Sequence, residues 1–167
     1  MQTRPLNQVV VTGAALPDLY AHAVTLRSAD KPRLTITTHR SGNEVVWYLG
    51  GQLAETGVSR SDEKQLAFAR DELRELFPWI SFKDCRFSCL RIDRAEASQA
   101  DQSRPDTPFL GCYDNIMVCW PTKLTLVPLL GDMVMEKLGD DEPAIHQPDL
   151  GLHAKIGRPR WEANHEA

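Results

Sequence analysis

Leu34 and Ile36 fall on one face of an alternating run from Arg33 to Arg40, with Arg33, Thr35 and Thr37 on the other. Alternation with period two is the signature of a half-buried strand, because successive side chains leave a strand on opposite sides. Ser41-Gly42-Asn43 then reads as a turn, and Glu44 to Leu49 (Val45, Val46, Trp47, Tyr48) as a second strand. Two such runs joined by a glycine-containing turn predict an antiparallel hairpin. Trp47 and Tyr48 must face opposite sides of it, so at most one belongs to the core and the other is open to a ligand or partner. Gly50-Gly51 marks a sharp bend or a close approach of another segment.

A helix is expected directly afterwards. Ser61 suits its N-cap, Asp62 and Glu63 fill the first turn, and Leu66, Ala69, Leu73 and Leu76 recur at helical spacing until Pro78. Val9 to Val11 reads as a short buried strand and Arg86 to Asp93 as another, while Ala97 to Pro108 is polar and proline-containing, hence a loop. Phe109 to Tyr113 and Ile116 to Trp120 predict a second hairpin around Asp114-Asn115. A second helix is expected from about Leu124 to Leu138, capped by Thr125 so that Pro128 lies in its first turn, and ended by Gly139. From Asp140 the periodicity disappears. Runs of strands without strict strand–helix alternation favour an α+β fold: an antiparallel or mixed sheet with helices packed on one face, a C-terminal helix and an irregular tail. Residues 1–138 form the working region in this reading and 139–167 the tail.

Composition narrows the function classes. The 167 residues carry a net charge of −4, so no broad basic footprint points to nucleic acid. The longest apolar run, Leu124 to Leu130, is too short for a membrane span, and the first residues resemble no secretory signal. The four cysteines are expected to be reduced, buried thiols of a cytoplasmic protein, and their spacings suit no zinc knuckle. No G-x-G-x-x-G, no phosphate-binding loop and no G-x-S-x-G elbow occurs.

Several residues are candidates for a site. Arg91 interrupts Leu90 and Ile92, sharing a face with Asp93; it is either a rim ion pair with Asp93 or a guanidinium presented to an anionic ligand. It is expected to project from the sheet face opposite the helices. Arg94 and Glu96 read as solvated or paired supports of that segment. His39 at a strand end reads more readily as a hydrogen-bonded structural residue than as a base, and a hydrolase built on His39 and Asp93 has little to support it. In Trp120-Pro121-Thr122-Lys123-Leu124-Thr125 a strand feeds through a proline into a helix, leaving first-turn N–H groups and the Lys123 ammonium as a possible anion site.

Taken in order, Leu34-Thr35-Ile36-Thr37-Thr38-His39, Trp47-Tyr48-Leu49-Gly50-Gly51, Ala54-Glu55-Thr56-Gly57-Val58, Leu76-Phe77-Pro78-Trp79, Leu90 to Glu96 and Trp120 to Thr125 resemble the C-terminal half of an FAD-dependent oxidoreductase. The superfamily is that of D-amino-acid oxidase, sarcosine oxidase and glycerol-3-phosphate dehydrogenase, and the resemblance runs from about Arg4 to Leu138. It implies a sheet that roofs a flavin and holds a small, anionic amine, amino-acid or hydroxy substrate. It implies Arg91 as substrate anchor, Arg104-Pro105-Asp106 as a nearby loop, and Thr122, Lys123 and Leu124 as the turn touching the flavin's pyrimidine edge; Tyr48, from the strand alternation, is taken as a substrate-side ring beside them. It further implies that the dinucleotide-binding half lies outside these residues, so that FAD belongs to the complete enzyme and is not retained by this chain alone. Missing that half, the chain is expected to expose apolar surface and could self-associate as a homo-oligomer. A standalone binding or scaffold domain is the alternative.

Overall fold

The computed structural model describes residues 1–26, 31–101, 103–120 and 123–139, together with Gly157 and Pro159. These fall into two compact units: Pro5–Arg94 with Pro159, and Met1–Arg4 joined to the described residues from Ala95 to Gly157. The fold is α+β with antiparallel strand pairing, and its last described helix is followed by residues outside the description.

The larger unit is built on a five-stranded sheet of order β2-β3-β4-β1-β5. Its strands are β1 (Gln2–Gly13), β2 (Ala21–Ala23), β3 (Leu34–Ser41), β4 (Glu44–Gly50) and β5 (Arg86–Glu96), the outer ends of β1 and β5 belonging to the other unit. The expected hairpin is present: Ser41 pairs with Glu44 and Thr37 with Tyr48 across a two-residue turn in which Gly42 has φ +57°. On one face Val9, Val11, Leu34, Ile36, Val45, Trp47 and Leu49 pack against the helical layer. That layer is α1 (Gln52–Thr56), a 3-10 turn Gly57–Ser59 and α2 (Asp62–Leu76). The core contribution of α2 comes from Ala69 and Leu73, both fully buried, with Leu66 and Leu76 partly buried beside them. Ser61 caps α2 by accepting from the Lys64 N–H at 3.4 Å.

β1 is far longer than the Val9–Val11 run suggests, since its polar residues Asn7, Gln8 and Thr12 are buried with its valines. The short elements α1 and β2 carry too few residues to establish a period and go unseen in the sequence. Gly50-Gly51 is a close approach. A Cβ on Gly51, which has φ +77°, would sit 2.7 Å from the Pro32 carbonyl oxygen, and one on Gly50 would sit 2.6 Å from the Thr35 hydroxyl.

The smaller unit contains the hairpin β6 (Phe109–Tyr113) and β7 (Ile116–Trp120), with Asp114 at φ 50° in its turn, and α3 (Val127–Leu138) against β6. A 3-10 turn, Leu124–Leu126, precedes α3, and Leu126 is its N-cap with no side-chain cap bond. The expected cap Thr125 therefore lies inside the 3-10 turn: Pro128 is held in the first turn of α3 by starting the α-helix later. Gly139 ends it with φ +71°. No described helix is long and apolar enough to cross a membrane. All four cysteines are free, but none is buried as expected: Cys85 and Cys89 are half-buried, and Cys112 and Cys119 are exposed on the hairpin.

The helical layer is pinned by one amide. Gln65, fully buried on α2, donates to the carbonyls of Asn7 (2.7 Å) and Leu53 (3.0 Å) and accepts from Arg60 at 2.9 Å. Gly57 makes room for it, since a Cβ there would lie 2.3 Å from the Gln65 amide nitrogen. Gln65→Leu removes a donor from the buried Asn7 and Leu53 carbonyls, the latter keeping the Gly57 N–H, and should lower unfolding free energy by about 1–2 kcal/mol. Gly57→Ala should destabilise as well, although its φ of −65° suits alanine. Urea denaturation of the two variants checks both; a neutral Gln65→Leu would remove the node from the account of stability.

Candidate functional site

Period two sends Trp47 and Tyr48 to opposite sides of β4. Trp47 is the core residue: fully buried, its indole N–H donating to the Pro17 carbonyl at 2.8 Å, its ring edge-on to Phe77 and Phe82. Tyr48 therefore stands on the face turned away from α2. Register brings Val10 of β1 and Thr37 of β3 directly opposite it. Its hydroxyl donates to the Gln8 side-chain carbonyl. The His39 ring meets the Tyr48 ring edge-on, centroids 6.4 Å apart at 88°. A Thr37 hydroxyl lies 3.3 Å from His39 Nε2. Gln8, Thr37, His39 and Tyr48 thus form one polar, partly aromatic patch on the outer sheet face. Such a patch offers hydroxyl, imidazole and amide groups to a polar ligand over an apolar ring. Alternation along β3 and β4 exposes His39 and Tyr48 to one another, but Gln8 was missed because β1 is not visibly a strand that early.

Arg91 is placed differently from expectation. In β5 the residues turned toward the helical layer are Phe87, which packs on the core, and those two and four positions on, Cys89 and Arg91. Arg91 Nε and Nη2 bond Asp62 Oδ1 at 3.0 and 2.9 Å, and Nη2 and Nη1 donate to the carbonyls of Arg60 (2.7 Å) and Val58 (3.4 Å). The guanidinium clasps the start of α2, on the opposite side of the sheet from Tyr48, and its ion-pair partner is Asp62 rather than Asp93. Its fork reaches there because a helix start presents a first-turn acid beside carbonyls of the preceding turn. Glu96 is a paired support as expected, buried against Arg4 at 3.4 Å.

In the smaller unit, two sequence-distant candidates meet. Lys123 Nζ bonds Asp106 Oδ1 at 2.7 Å, joining the Arg104-Pro105-Asp106 loop to the turn before α3. That hydrogen bond, then the Lys123 charge, holds the Asp106 carboxyl below the usual carboxylate range, with a smaller contribution from Arg104. Arg104 is exposed and Leu124 is 88% exposed. Thr122 lies outside the described residues. Among the described residues, the backbone N–H groups of Lys123 and Leu124 have no acceptor. The Lys123 ammonium is balanced by a carboxylate. Among the described residues no group of side chains could hold a metal ion.

No family model matches the chain. It is 45% identical over 169 residues to the "Probable FAD-dependent oxidoreductase PA4991" of Pseudomonas aeruginosa, a match taking in 97% of this chain and 42% of that protein. The crystal structure of the FAD-dependent oxidoreductase PA4991 superposes with a TM-score of 0.83 at 41% identity, covering 98% of this chain and 46% of that one. The chain spans under half the length of the relative it matches.

The bonds of Arg91 give it a measurable structural share. Arg91→Met should cost about 1 kcal/mol, discounted for its half-exposed position, and a double-mutant cycle with Asp62→Asn should be non-additive by a similar amount. Denaturation midpoints of the three variants measure this. A neutral Arg91→Met would mean that the clasp holds nothing and the side chain is available to a ligand. In sequence and in fold, the chain is similar to part of the P. aeruginosa FAD-dependent oxidoreductase.

Proposed function

We propose that residues 1–138 are the substrate-side region of an FAD-dependent oxidoreductase of the D-amino-acid oxidase and glycerol-3-phosphate dehydrogenase superfamily, with 139–167 an appended tail. Its substrate is a small anionic amine, amino acid or hydroxy compound, and its flavin-binding half lies outside these residues. The carrying observation is the match itself: nearly all of this chain aligns with under half of an FAD-dependent oxidoreductase. The surface supports a covering partner. On α3 only Leu130 is buried, while Leu129, Met135 and Leu138, with Leu124 before it and Tyr113 and Ile116 on the hairpin, are exposed. An apolar helix so little covered is unusual for a finished surface.

FAD, when bound, supplies the hydride acceptor. In this reading Tyr48 and Arg104 are substrate-side residues of their respective units. The turn of Thr122, Lys123 and Leu124 meets the flavin's pyrimidine edge through its N–H groups, the part of Thr122 resting on sequence alone. Arg91 is assigned to fastening α2 and not to substrate. The reading is tested by co-expressing the chain with the dinucleotide-binding segment of the P. aeruginosa relative. A yellow complex should form, whereas the chain alone, dialysed after mixing with FAD, should be colourless. Stoichiometric flavin on the chain alone overturns the missing half; a colourless co-purified complex overturns the flavin assignment.

Charge at the turn sets a second expectation. Two-electron reduction puts negative charge on the pyrimidine edge, so nearby cations favour the reduced form. Lys123→Met removes a cation and leaves Asp106 unbalanced, and should lower the flavin's reduction potential. Asp106→Asn leaves Lys123 unbalanced and should raise it. Potentiometric titration of the yellow complex reads both shifts, and a potential unmoved by either variant places the turn away from the flavin.

A further inference from the structure

On the outer side of α2 a cavity of about 340 Å³ is lined by Arg70, Arg74, Ile80, Phe82 and Lys83. Its size is within the range of small-ligand sites. Three cations and no acid line it. Arg70 and Arg74 are one helical turn apart, a like-charge spacing that weakens an isolated helix. The opposing charge within reach is weak. Asp71 pairs with Arg74 at 3.3 Å, with both side chains at least 70% exposed, where an ion pair contributes little. Arg70 is held flat with its guanidinium 4.1 Å from the Phe87 ring centroid, which fixes its plane and leaves its edge donors without a carboxylate among the described residues. Ile80 and Phe82, both packed on the core, give the cavity an apolar floor.

We infer that this cavity binds a phosphate monoester carrying a small apolar body. Three cations lining one cavity favour a ligand with close to two negative charges, which a phosphate monoester carries at neutral pH and a monocarboxylate does not. Arginine forks match its oxygens bidentately, and the floor of Ile80 and Phe82 takes the organic group. The site is separate from the outer sheet face, and does not depend on the flavin reading.

Calorimetric titration of the chain at physiological salt tests it, with phenyl phosphate as probe beside inorganic phosphate and benzoate. Phenyl phosphate should bind at one site, roughly tenfold or more tighter than either comparison ligand, as expected for one added charge-assisted contact or one buried ring. The double variant Arg74→Gln, Lys83→Gln should weaken it roughly tenfold or more, and Lys83→Gln alone, at an exposed position, should weaken it measurably if the double variant does not fold. Lys31→Gln, in a different cavity, should leave it unchanged. Equal affinity for all three ligands, more than one site per chain, or unaltered binding by the folded variants at Arg74 and Lys83 would reduce the cluster to a solvated cationic surface and overturn the inference.

Discussion

A single buried glutamine decides where the helical layer sits. Three segments bring backbone carbonyls to one dry point: Asn7 within β1, Leu53 within α1 and Gly57 at the start of the 3-10 turn. The Leu53 carbonyl already accepts from the Gly57 N–H and the Gly57 carbonyl from the Arg60 N–H, so the side-chain amides add second donors that tie the segments to one another. Gln65 supplies donors to the first two, and the Asn7 side chain supplies the third at 3.2 Å. The match is not complete, because Asn7 Oδ1 is buried without a partner. Gly57 is the steric counterpart of this node: the amide occupies the space a side chain would need.

From that point the other contacts of the unit follow. With Gln65 anchored, Arg60 is drawn to its amide oxygen and lies 4.0 Å over Phe68, and Asp62 comes to the edge where Arg91 waits on β5. Further along α2, Glu72 and Glu75 take the fork of Arg33 at the start of β3. The hydrogen bond from Arg33, reinforced by its charge, lowers the Glu75 pKa. The helix is thus tied to the middle of the sheet by an amide and to strands on either side by guanidinium forks. All of these ties lie on one face. The other face is left to Gln8, Thr37, His39 and Tyr48, and a register slip of one residue in β4 would exchange Tyr48 for Trp47 there.

How much of this the sequence reveals depends on the range of the interaction. The β3–β4 hairpin, the Ser61 cap, the α2 stripe and the second hairpin depend on neighbours a few residues away, and all are legible. Alternation separates Trp47 from Tyr48 but does not say which is inside; that depends on Phe77 and Phe82, thirty and more residues later. The sequence points Arg91 to the wrong side because Leu90 and Ile92 look like the core pair of β5. In the fold Phe87 fixes the inward face instead, and Leu90 and Ile92 are only partly buried. The meeting of Asp106 with Lys123 spans a hairpin and has no local signal. Gln65 is the plainest case: on a helical wheel it is a polar residue beside an apolar stripe, and only the carbonyls of Asn7 and Leu53 make it the most constrained side chain of α2.

The two units differ in how they meet the general requirement that secondary structure bury one face. The larger satisfies it within itself, through a sheet face filled by α1 and α2. In the smaller, a two-stranded hairpin carries a helix of 12 residues that buries one side chain. Neither is stable alone by general standards: isolated hairpins are marginal, and helices of this length depend on tertiary packing more than on propensity. The residues that should provide that packing are present in number on α3 and the hairpin, but they face outward. Order in that unit is therefore linked to whatever covers those residues, since a partner that binds only the ordered form stabilises it by mass action. The Lys123–Asp106 pair and the N–H groups of Lys123 and Leu124, which have no acceptor among the described residues, lie at the entrance to this helix. If the flavin-binding half is the covering partner, the same docking event that orders α3 also fixes the donors proposed to meet the cofactor.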